Sequence, residues 1–190
     1  MDIGLFFGSF NPIHIGHMII ANAMLENSTL EQVWFVVSPH NPLKKRKNLL
    51  HEFDRYDMAS AAVNDNYKMR VSDVEFNMPK PSYTIDTLAY LTDKYPEHNF
   101  SLIIGEDNLV IFPKWKNSDV ILNDYGLYVY PRSGKEKPSL INHPNVKYVE
   151  APRLDISATF IRKLCREGKS IKYLVPEAVA DIIAGRKLFE

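Results

Sequence analysis

Two histidines that lie three residues apart follow the first apolar segment of the chain. His14 and His17 flank Gly16 and come after Gly8, which permits a tight turn. If both lie on the first turn of a helix, their imidazoles share one face and can donate hydrogen bonds to phosphate oxygens. The free N–H groups at the helix start favour the same ligand. The segment therefore predicts a phosphate site. So short a pattern has an equally good alternative interpretation, in which one histidine caps the helix and the other packs in the interior.

A polar segment near the other end of the chain suits the same ligand. Ser157 is a favoured helix N-cap, Thr159 adds a hydroxyl, and the Arg162 guanidinium can make two hydrogen bonds to a phosphate. Taken alone, a capped helix with a surface arginine explains this segment at least as well. A zinc pair is conceivable from the histidine spacing, but no third ligand lies nearby, and Cys165 is the single cysteine.

Apolar runs and helical patterns alternate along the chain. Strands are predicted at Ile3–Gly8, Val33–Val37, Met69–Ser72, Phe100–Gly105, Gly126–Tyr130 and Val146–Val149, and helices at Ile15–Glu26, Phe53–Val63, Thr84–Tyr95, Ala158–Glu167 and Pro176–Ala184. This alternation predicts an α/β fold, a Rossmann-like open, mainly parallel sheet with helices on both faces. We expect residues 1–190 to form a single domain with a C-terminal helical subregion at about 157–190. Ligands should bind where strands end and helices begin.

The composition limits the class of partner. Of the 190 residues, 45% are hydrophobic and 24% are charged, as in ordinary soluble globular proteins. The 23 basic residues equal the 23 acidic ones, which argues against a general binder of nucleic acid or anionic membranes. The apolar runs are too short to span a bilayer, and the N-terminus has no basic segment typical of a secretion signal. We therefore expect a cytoplasmic protein with small-molecule partners, no nucleic acid and no membrane. The sequence is compatible with a homo-oligomer.

The segment around the two histidines resembles the (H/T)xGH signature of the nucleotidyltransferase α/β-phosphodiesterase superfamily. A second signature, ISSTxIR, is expected near the C-terminus, and Ile156–Arg162 reads ISATFIR, with Ala158 in place of the second serine. The resemblance implies an enzyme that attaches a nucleotide to a phosphate-bearing acceptor and releases pyrophosphate. Two signatures in the expected order, at opposite ends of one α/β chain, identify the chain as a member of this superfamily.

Three further segments resemble those of bacterial nicotinate-mononucleotide adenylyltransferases. They are Ser82–Leu88 (SYTIDTL), Leu102–Leu109 (LIIGEDNL) and Phe112–Lys116 (FPKWK). The resemblance implies that nicotinate mononucleotide and ATP give nicotinate adenine dinucleotide and pyrophosphate in NAD biosynthesis. It implies in-line attack of the acceptor phosphate on the ATP α-phosphorus, without a covalent intermediate. Mg²⁺ would be bound mainly through the ATP phosphates, so no metal-ligating residue is assigned.

The resemblance assigns a role to each candidate residue. The catalytic residues are His14, His17, Lys44 and Arg162, with His17 as the main transition-state stabiliser. ATP binding is assigned to Gly8, Ser9, Phe10, His14, His17, Gly105, Asp107, Ile156, Ser157, Thr159 and Arg162. Nicotinate mononucleotide binding is assigned to Ser9, Phe10, Lys44, Tyr83, Thr84, Trp115 and Lys116.

Elementary chemistry supports the assignments outside the two signatures. Thr84 opens a helix, so its N–H lacks an intrahelical partner and suits a carboxylate, and the N–H of Lys116 can be a second donor. Trp115 has a flat face for an electron-poor ring, although core packing explains it too. Asp107 follows a strand and can accept hydrogen bonds from a ribose diol, although a helix N-terminal aspartate explains it as well.

One basic segment departs from the family pattern. The family usually has PPHK or PPHR after the second strand, whereas this chain has Asn41-Pro42-Leu43-Lys44. Lys44 aligns with the basic residue and is expected to contact a phosphate. Since Leu43 replaces the histidine, the contact of that imidazole is lost or supplied by another residue such as His40.

Three alternatives are compatible with the sequence. The first is a pantetheine-phosphate adenylyltransferase, whose first signature resembles TxGH rather than the HxGH of this chain. The acceptor of that enzyme has no aromatic carboxylate, so the SYTIDT segment and Trp115 would have no purpose. An adenylyltransferase that prefers nicotinamide mononucleotide would need an amide-reading pocket near Thr84 and Lys116. A catalytically silent nucleotide-binding module is disfavoured by the intact His14, His17 and Arg162.

Overall fold

Six strands form one parallel sheet in the computed structural model, which describes residues 1–39, 49–132 and 138–190. The strands are β1 (Asp2–Gly8), β2 (Gln32–Val37), β3 (Met69–Ser72), β4 (Asn99–Gly105), β5 (Leu127–Tyr130) and β6 (Val146–Tyr148). They lie in the order β3-β2-β1-β4-β5-β6, and every adjacent pair is parallel. The order reverses between β1 and β4, the place where open α/β sheets bind ligands.

Helices connect the strands. The α-helices of the described ranges are α1 (Ile15–Glu26), α2 (Glu52–Val63), α3 (Thr84–Lys94), α4 (Glu106–Ile111), α5 (Ser118–Val120), α6 (Ala158–Arg166) and α7 (Glu177–Gly185). Shorter helical turns are the 3₁₀ segments Val74–Asn77 and Phe112–Lys114 and the π segment Ile121–Tyr125. Among the helices of these ranges, none combines the length and apolar character needed to cross a membrane.

The sheet separates two hydrophobic cores because successive side chains of a strand point to opposite faces. Phe6 of β1 and Phe35 of β2 lie in one core, together with side chains of α1, α2, α6 and α7. Leu5 and Trp34, their neighbours in sequence, lie in the other core with side chains of α3 and α4. The predicted Rossmann-like sheet with helices on both faces is therefore confirmed, and its described strands are all parallel.

Most predicted elements have the predicted bounds within one residue. The structure differs between β4 and β5, where four short helical segments fill residues 106–125 and the sequence predicted none as an element. Each segment has six residues or fewer. A segment of that length is too short for a helical apolar repeat to be recognised.

Candidate active site

A cleft of about 460 Å³ opens at the carboxyl ends of β1 and β5. Both predicted phosphate motifs line it, one from the β1–α1 junction and one from the start of α6. The sequence-predicted residues on its wall are Gly8, Ser9, Phe10, His14, His17, Ile156, Ser157, Thr159 and Arg162. Asp107, in the first turn of α4, lies at its border, with its Oδ2 3.9 Å from Nε of the cleft-lining Arg132. The fold thus brings together two segments from opposite ends of the chain.

Gly8 and Gly16 leave room for two rings. A Cβ on Gly8 would come within 2.7 Å of the Phe10 ring, and one on Gly16 within 3.0 Å of His14 Nδ1. Phe10 itself has a left-handed backbone with φ 44°, a conformation that is strained for a bulky side chain. Its buried ring meets His17 edge-on, with centroids 5.1 Å apart. Gly8 was expected to permit a tight turn, and in the structure it also leaves space for the Phe10 ring.

The two histidines contact each other. His14 is the N-cap of α1 rather than part of its first turn, and its ring stacks on His17 with centroids 3.7 Å apart. The His14 backbone N–H donates to His17 Nδ1 at 3.2 Å, so a neutral His17 carries its proton on Nε2. One histidine does occupy a cap position, as in the alternative interpretation with one capping and one interior histidine. Both histidines nevertheless line the cleft.

His14 is held neutral. Burial, reinforced by the positive charge of Arg132, lowers the pKa of His14 from 6.5 to about 4. His14 Nδ1 is buried and has no hydrogen-bond partner among the described residues. A buried polar atom without a partner at a cleft wall is suited to a bound ligand. At neutral pH this histidine can therefore act by hydrogen bonding and not by carrying a charge.

Arg162 links the two motifs directly. Its guanidinium donates to the carbonyl oxygen of Asn11 at 2.8 Å and to Thr159 Oγ1 at 3.1 Å. Its Nε is buried without a partner in the described part of the chain. Ser157 caps α6 by accepting the N–H of Phe160 at 3.2 Å, as its residue type predicted. The surface-arginine alternative is wrong for Arg162, because its side chain crosses to the β1–α1 junction.

Sequence reasoning missed Arg132 and Tyr130. Tyr130 ends β5 and Arg132 follows it, so both reach the cleft from the carboxyl end of a strand. Burial would lower the pKa of Arg132, but the nearby Asp107 and Tyr130 raise it above its usual range. A basic residue just after a strand of a parallel sheet is a signal that could have found this arginine.

The residues assigned to the nicotinate ring lie outside the cleft wall, at the start of α3 and directly after the 3₁₀ segment Phe112–Lys114. Thr84 is the first helical residue, as predicted, and Tyr83 is the N-cap. Lys116 Nζ binds both carboxylate oxygens of Asp86, at 2.9 and 3.1 Å, and lies 4.7 Å from the centroid of the Tyr83 ring. Trp115 is half-buried against Phe112, and its Nε1 is buried without a partner in the described ranges.

The basic segment after β2 is the remaining predicted contact. Lys44, and with it Leu43 and His40, lies outside the described residues. Its assignment therefore stays a prediction.

The chain is similar in sequence to known proteins. The family model described as cytidylyltransferase-like matches residues 5–164. A protein of Cytophaga hutchinsonii named "Probable nicotinate-nucleotide adenylyltransferase" is 59% identical over 189 residues, which cover 100% of this chain and 98% of that one. A protein of Flavobacterium johnsoniae with the same name is 50% identical over 185 residues, 96% of each chain.

Solved structures are similar over the whole chain. Nicotinic acid mononucleotide adenylyltransferase of Plasmodium falciparum complexed with NaAD has a TM-score of 0.82 at 19% identity, covering 99% of this chain and 97% of that one. The same enzyme complexed with APC has a TM-score of 0.81. At this identity the likeness shows the fold, while the sequence relatives show the family. The chain belongs to the cytidylyltransferase-like family and, within it, to the nicotinate-nucleotide adenylyltransferases.

Proposed function

We propose that the protein transfers the adenylyl group of ATP to nicotinate mononucleotide, giving nicotinate adenine dinucleotide and pyrophosphate. One observation carries the proposal beyond family membership. Arg162 of the second motif bonds the backbone of Asn11 in the first, so both phosphate motifs line one cleft at the ligand-binding edge of the sheet. That arrangement suits a polyphosphate that spans the two motifs.

The chemistry is an in-line displacement. An oxygen of the acceptor phosphate forms a bond to the α-phosphorus of ATP, and the bond from that phosphorus to the bridging oxygen of the β-phosphate breaks, releasing pyrophosphate. The acceptor phosphate is already ionised near pH 7, so no general base is required. Catalysis then consists of positioning and of stabilising the negative charge that spreads over the phosphate oxygens.

His17 is the main stabiliser in this proposal. Because its Nδ1 accepts the backbone N–H of His14, its proton-bearing Nε2 is the atom that can donate to a phosphate oxygen. His14 stays neutral, stacks on His17 and holds it in one orientation. Arg162 of α6 and Arg132 after β5 both supply positive charge to the cleft, and Lys44 is proposed as a further phosphate contact.

The remaining ATP contacts follow from position. The backbone of residues 8–10 and the hydroxyls of Ser157 and Thr159 can donate to phosphate oxygens along the cleft. Gly105 ends β4 and Asp107 follows it at the border of the cleft, where a carboxylate can accept both hydroxyls of a ribose. Ile156 is an apolar part of the same wall.

The nicotinate ring is proposed to bind at the start of α3. The N–H of Thr84 and the backbone N–H of Lys116 can donate to its carboxylate, and Trp115 and Tyr83 can pack against its ring. Two donors around one carboxylate favour nicotinate over nicotinamide, because the amide would place N–H groups against N–H groups.

Mg²⁺ fits the cleft as a companion of the nucleotide. The described residues contain no group of three or more His, Cys, Asp or Glu side chains that could hold a metal ion. The wall instead has hydrogen-bond donors and cations, which suit phosphate oxygens. Mg²⁺ would supply positive charge that offsets the negative charge of the leaving pyrophosphate. Its ligands would come mainly from ATP and water.

We propose that residues 1–190 form one catalytic domain in the cytoplasm. Helix α6, which carries Arg162, buries Ile161 in the same core as β1, and α7 adds Val179 to it. The C-terminal helices thus depend on the sheet for their packing. The equal numbers of acidic and basic residues favour small-molecule substrates over nucleic acid.

The test is pyrophosphate release with ATP and Mg²⁺ in the presence of three acceptors. We expect kcat/KM for nicotinate mononucleotide to exceed that for nicotinamide mononucleotide, and 4′-phosphopantetheine to be inactive. Equal use of both pyridine nucleotides would preserve the chemistry and contradict the roles of Thr84 and Lys116. A folded protein that binds ATP and turns over none of the three would show the catalytically silent module instead.

A further inference from the structure

A set of polar residues, three of them buried, lies between the cleft and the start of α3. Neither phosphate motif contains its members, and the proposed reaction does not use them. They are Ser38, Arg55, Glu75, Ser82 and Thr87.

Arg55 of α2 holds the ends of two strands. It is fully buried, and its guanidinium donates to the carbonyl oxygens of Ser9 at 2.6 Å, Ser38 at 2.8 Å, Leu50 at 3.0 Å and Pro39 at 3.1 Å. Ser9 follows β1 in the junction between β1 and α1, called the phosphate loop from here on, while Ser38 and Pro39 follow β2. Arg55 therefore fixes the phosphate loop relative to the end of β2.

Glu75 holds the start of α3. Its side chain is 2% exposed, and its carboxylate accepts the hydroxyls of Thr87 at 2.8 Å and Ser82 at 3.0 Å. Ser82 precedes Thr84 by two residues and Thr87 follows it by three. Glu75 therefore binds the chain on both sides of Thr84, whose N–H is the proposed donor to the nicotinate carboxylate. The Ser38 side chain lies close enough to the same carboxylate to oppose the effect of burial, which raises the pKa of Glu75.

The two halves of this set meet at Ser38. Its carbonyl oxygen accepts from Arg55 at 2.8 Å, and its N–H donates to the carbonyl oxygen of Gly8 at 2.9 Å. Its side chain lies beside the Glu75 carboxylate and partly offsets the rise that burial causes in the pKa of that group. Ser38 therefore connects the phosphate loop to the residue that holds the first turn of α3. Arg55, Glu75 and Thr87 are buried, so removing one of them leaves a buried polar group without a partner.

We propose that Glu75 is a positioning residue that sets the distance between the cleft and the start of α3 and thereby the selectivity for the acceptor. The inference rests on the proposed function. The acceptor carries its phosphate at one end and its ring at the other, so the two regions must be held at one separation for both ends to bind. ATP binds within the cleft and does not require that separation.

Thr87 supplies the sharpest test, because it is fully buried and makes one hydrogen bond to Glu75 at 2.8 Å. Thr87→Val keeps the volume and removes the donor, whereas Thr87→Ser keeps the donor. We expect Thr87→Val to raise KM for nicotinate mononucleotide at least fivefold and to lower the preference over nicotinamide mononucleotide. KM for ATP and kcat should stay within twofold, and Thr87→Ser should retain the wild-type preference.

Leu91→Ala is the matched control for lost stability. Leu91 lies on α3, is 1% exposed and packs in the core that contains Leu5 and Trp34. This variant should lower Tm without changing the preference between acceptors. If Thr87→Val fails to fold, Glu75→Gln makes the same comparison, because the two hydroxyls bind separate carboxylate oxygens and an amide keeps only one acceptor oxygen.

Two results would overturn the proposal. In the first, Thr87→Val and Thr87→Ser have the same KM values and preference. In the second, Thr87→Val raises KM for ATP and for the acceptor equally, as general destabilisation would. A wild-type protein that turns over no pyridine nucleotide would refute the proposed function and this inference together. A selective wild type with unaltered variants would refute the inference alone.

Discussion

The cleft and the start of α3 are built in opposite ways. In the cleft, contacts cross long stretches of chain, as in the hydrogen bond from Arg162 to Asn11, 151 residues away. Its histidines stack on each other, and His14 is buried. At the start of α3, Lys116 and Asp86 form an ion pair in which each side chain is nearly half exposed.

The difference separates chemistry from recognition. A buried and mutually bonded set of side chains is preorganised, so it stabilises charge in the transition state without first rearranging. An exposed region that uses backbone N–H donors can distinguish one acceptor from another and does little for the chemical step. Changes in the cleft should therefore affect all acceptors alike, whereas changes at α3 should alter their ratio.

The largest expected effect is a loss of protein stability at acid pH, caused by His14 in the cleft. Because the pKa of His14 is lowered from 6.5 to about 4, the unfolded chain binds more protons than the folded chain between these values. Stability conferred by neutral His14 is present above about pH 6.5 and is lost as pH falls towards 4, by about 3 kcal/mol at most. The free energy of unfolding, measured by denaturation at pH 7 and pH 4.5, should fall less on acidification in His14→Asn than in wild type. An equal fall in both proteins would contradict the role of His14.

Replacement of His17 should slow the reaction with every acceptor. We expect His17→Ala to lower kcat at least tenfold, about 1.4 kcal/mol, because the donor to the transferring phosphate is lost. The ratio of kcat/KM values for nicotinate and nicotinamide mononucleotide should stay unchanged. Circular dichroism checks that the fold is intact. Near-normal turnover would remove His17 from its role.

Thr84→Pro should have the reverse effect. Proline at the first position of a helix is tolerated and removes only the N–H, and Tyr83 before it is already extended, with φ −110° and ψ 142°. We expect the nicotinate preference to fall about fivefold, about 1 kcal/mol, while kcat is retained. Thr84→Ala, which keeps the N–H, is the control. An equal fall in both variants would assign the effect to the side chain.

The smallest effect is expected at the exposed ion pair. Lys116→Met breaks the contact with Asp86, but solvent screens two side chains exposed to 45% and 47%. The free energy of unfolding, measured by urea denaturation, should change by less than about 0.5 kcal/mol. The acceptor preference should also hold, since the role of Lys116 is assigned to its backbone. A clear loss of preference would show that the ammonium group takes part.

Much of the architecture could be read in the sequence. The apolar runs at β1 and β2 and the bounds of α1 predicted a parallel sheet, because strands buried on both faces are continuously apolar. The serine at position 157 predicted a cap that the structure contains. The short helices of residues 106–125 could not be read, since segments of six residues or fewer show no repeat.

The types of the site residues and their family pattern came from local sequence, because short motifs keep their residues adjacent. Which of them meet was decided by the fold: Arg162 reaches Asn11, and Arg132 joins the same cleft from β5. The low pKa of His14 arises from burial and from a charge distant in sequence. The connection from Arg55 through Ser38 to Glu75 arises in the same way. Burial and long-range contacts are properties of packing, and no stretch of neighbouring residues contains them.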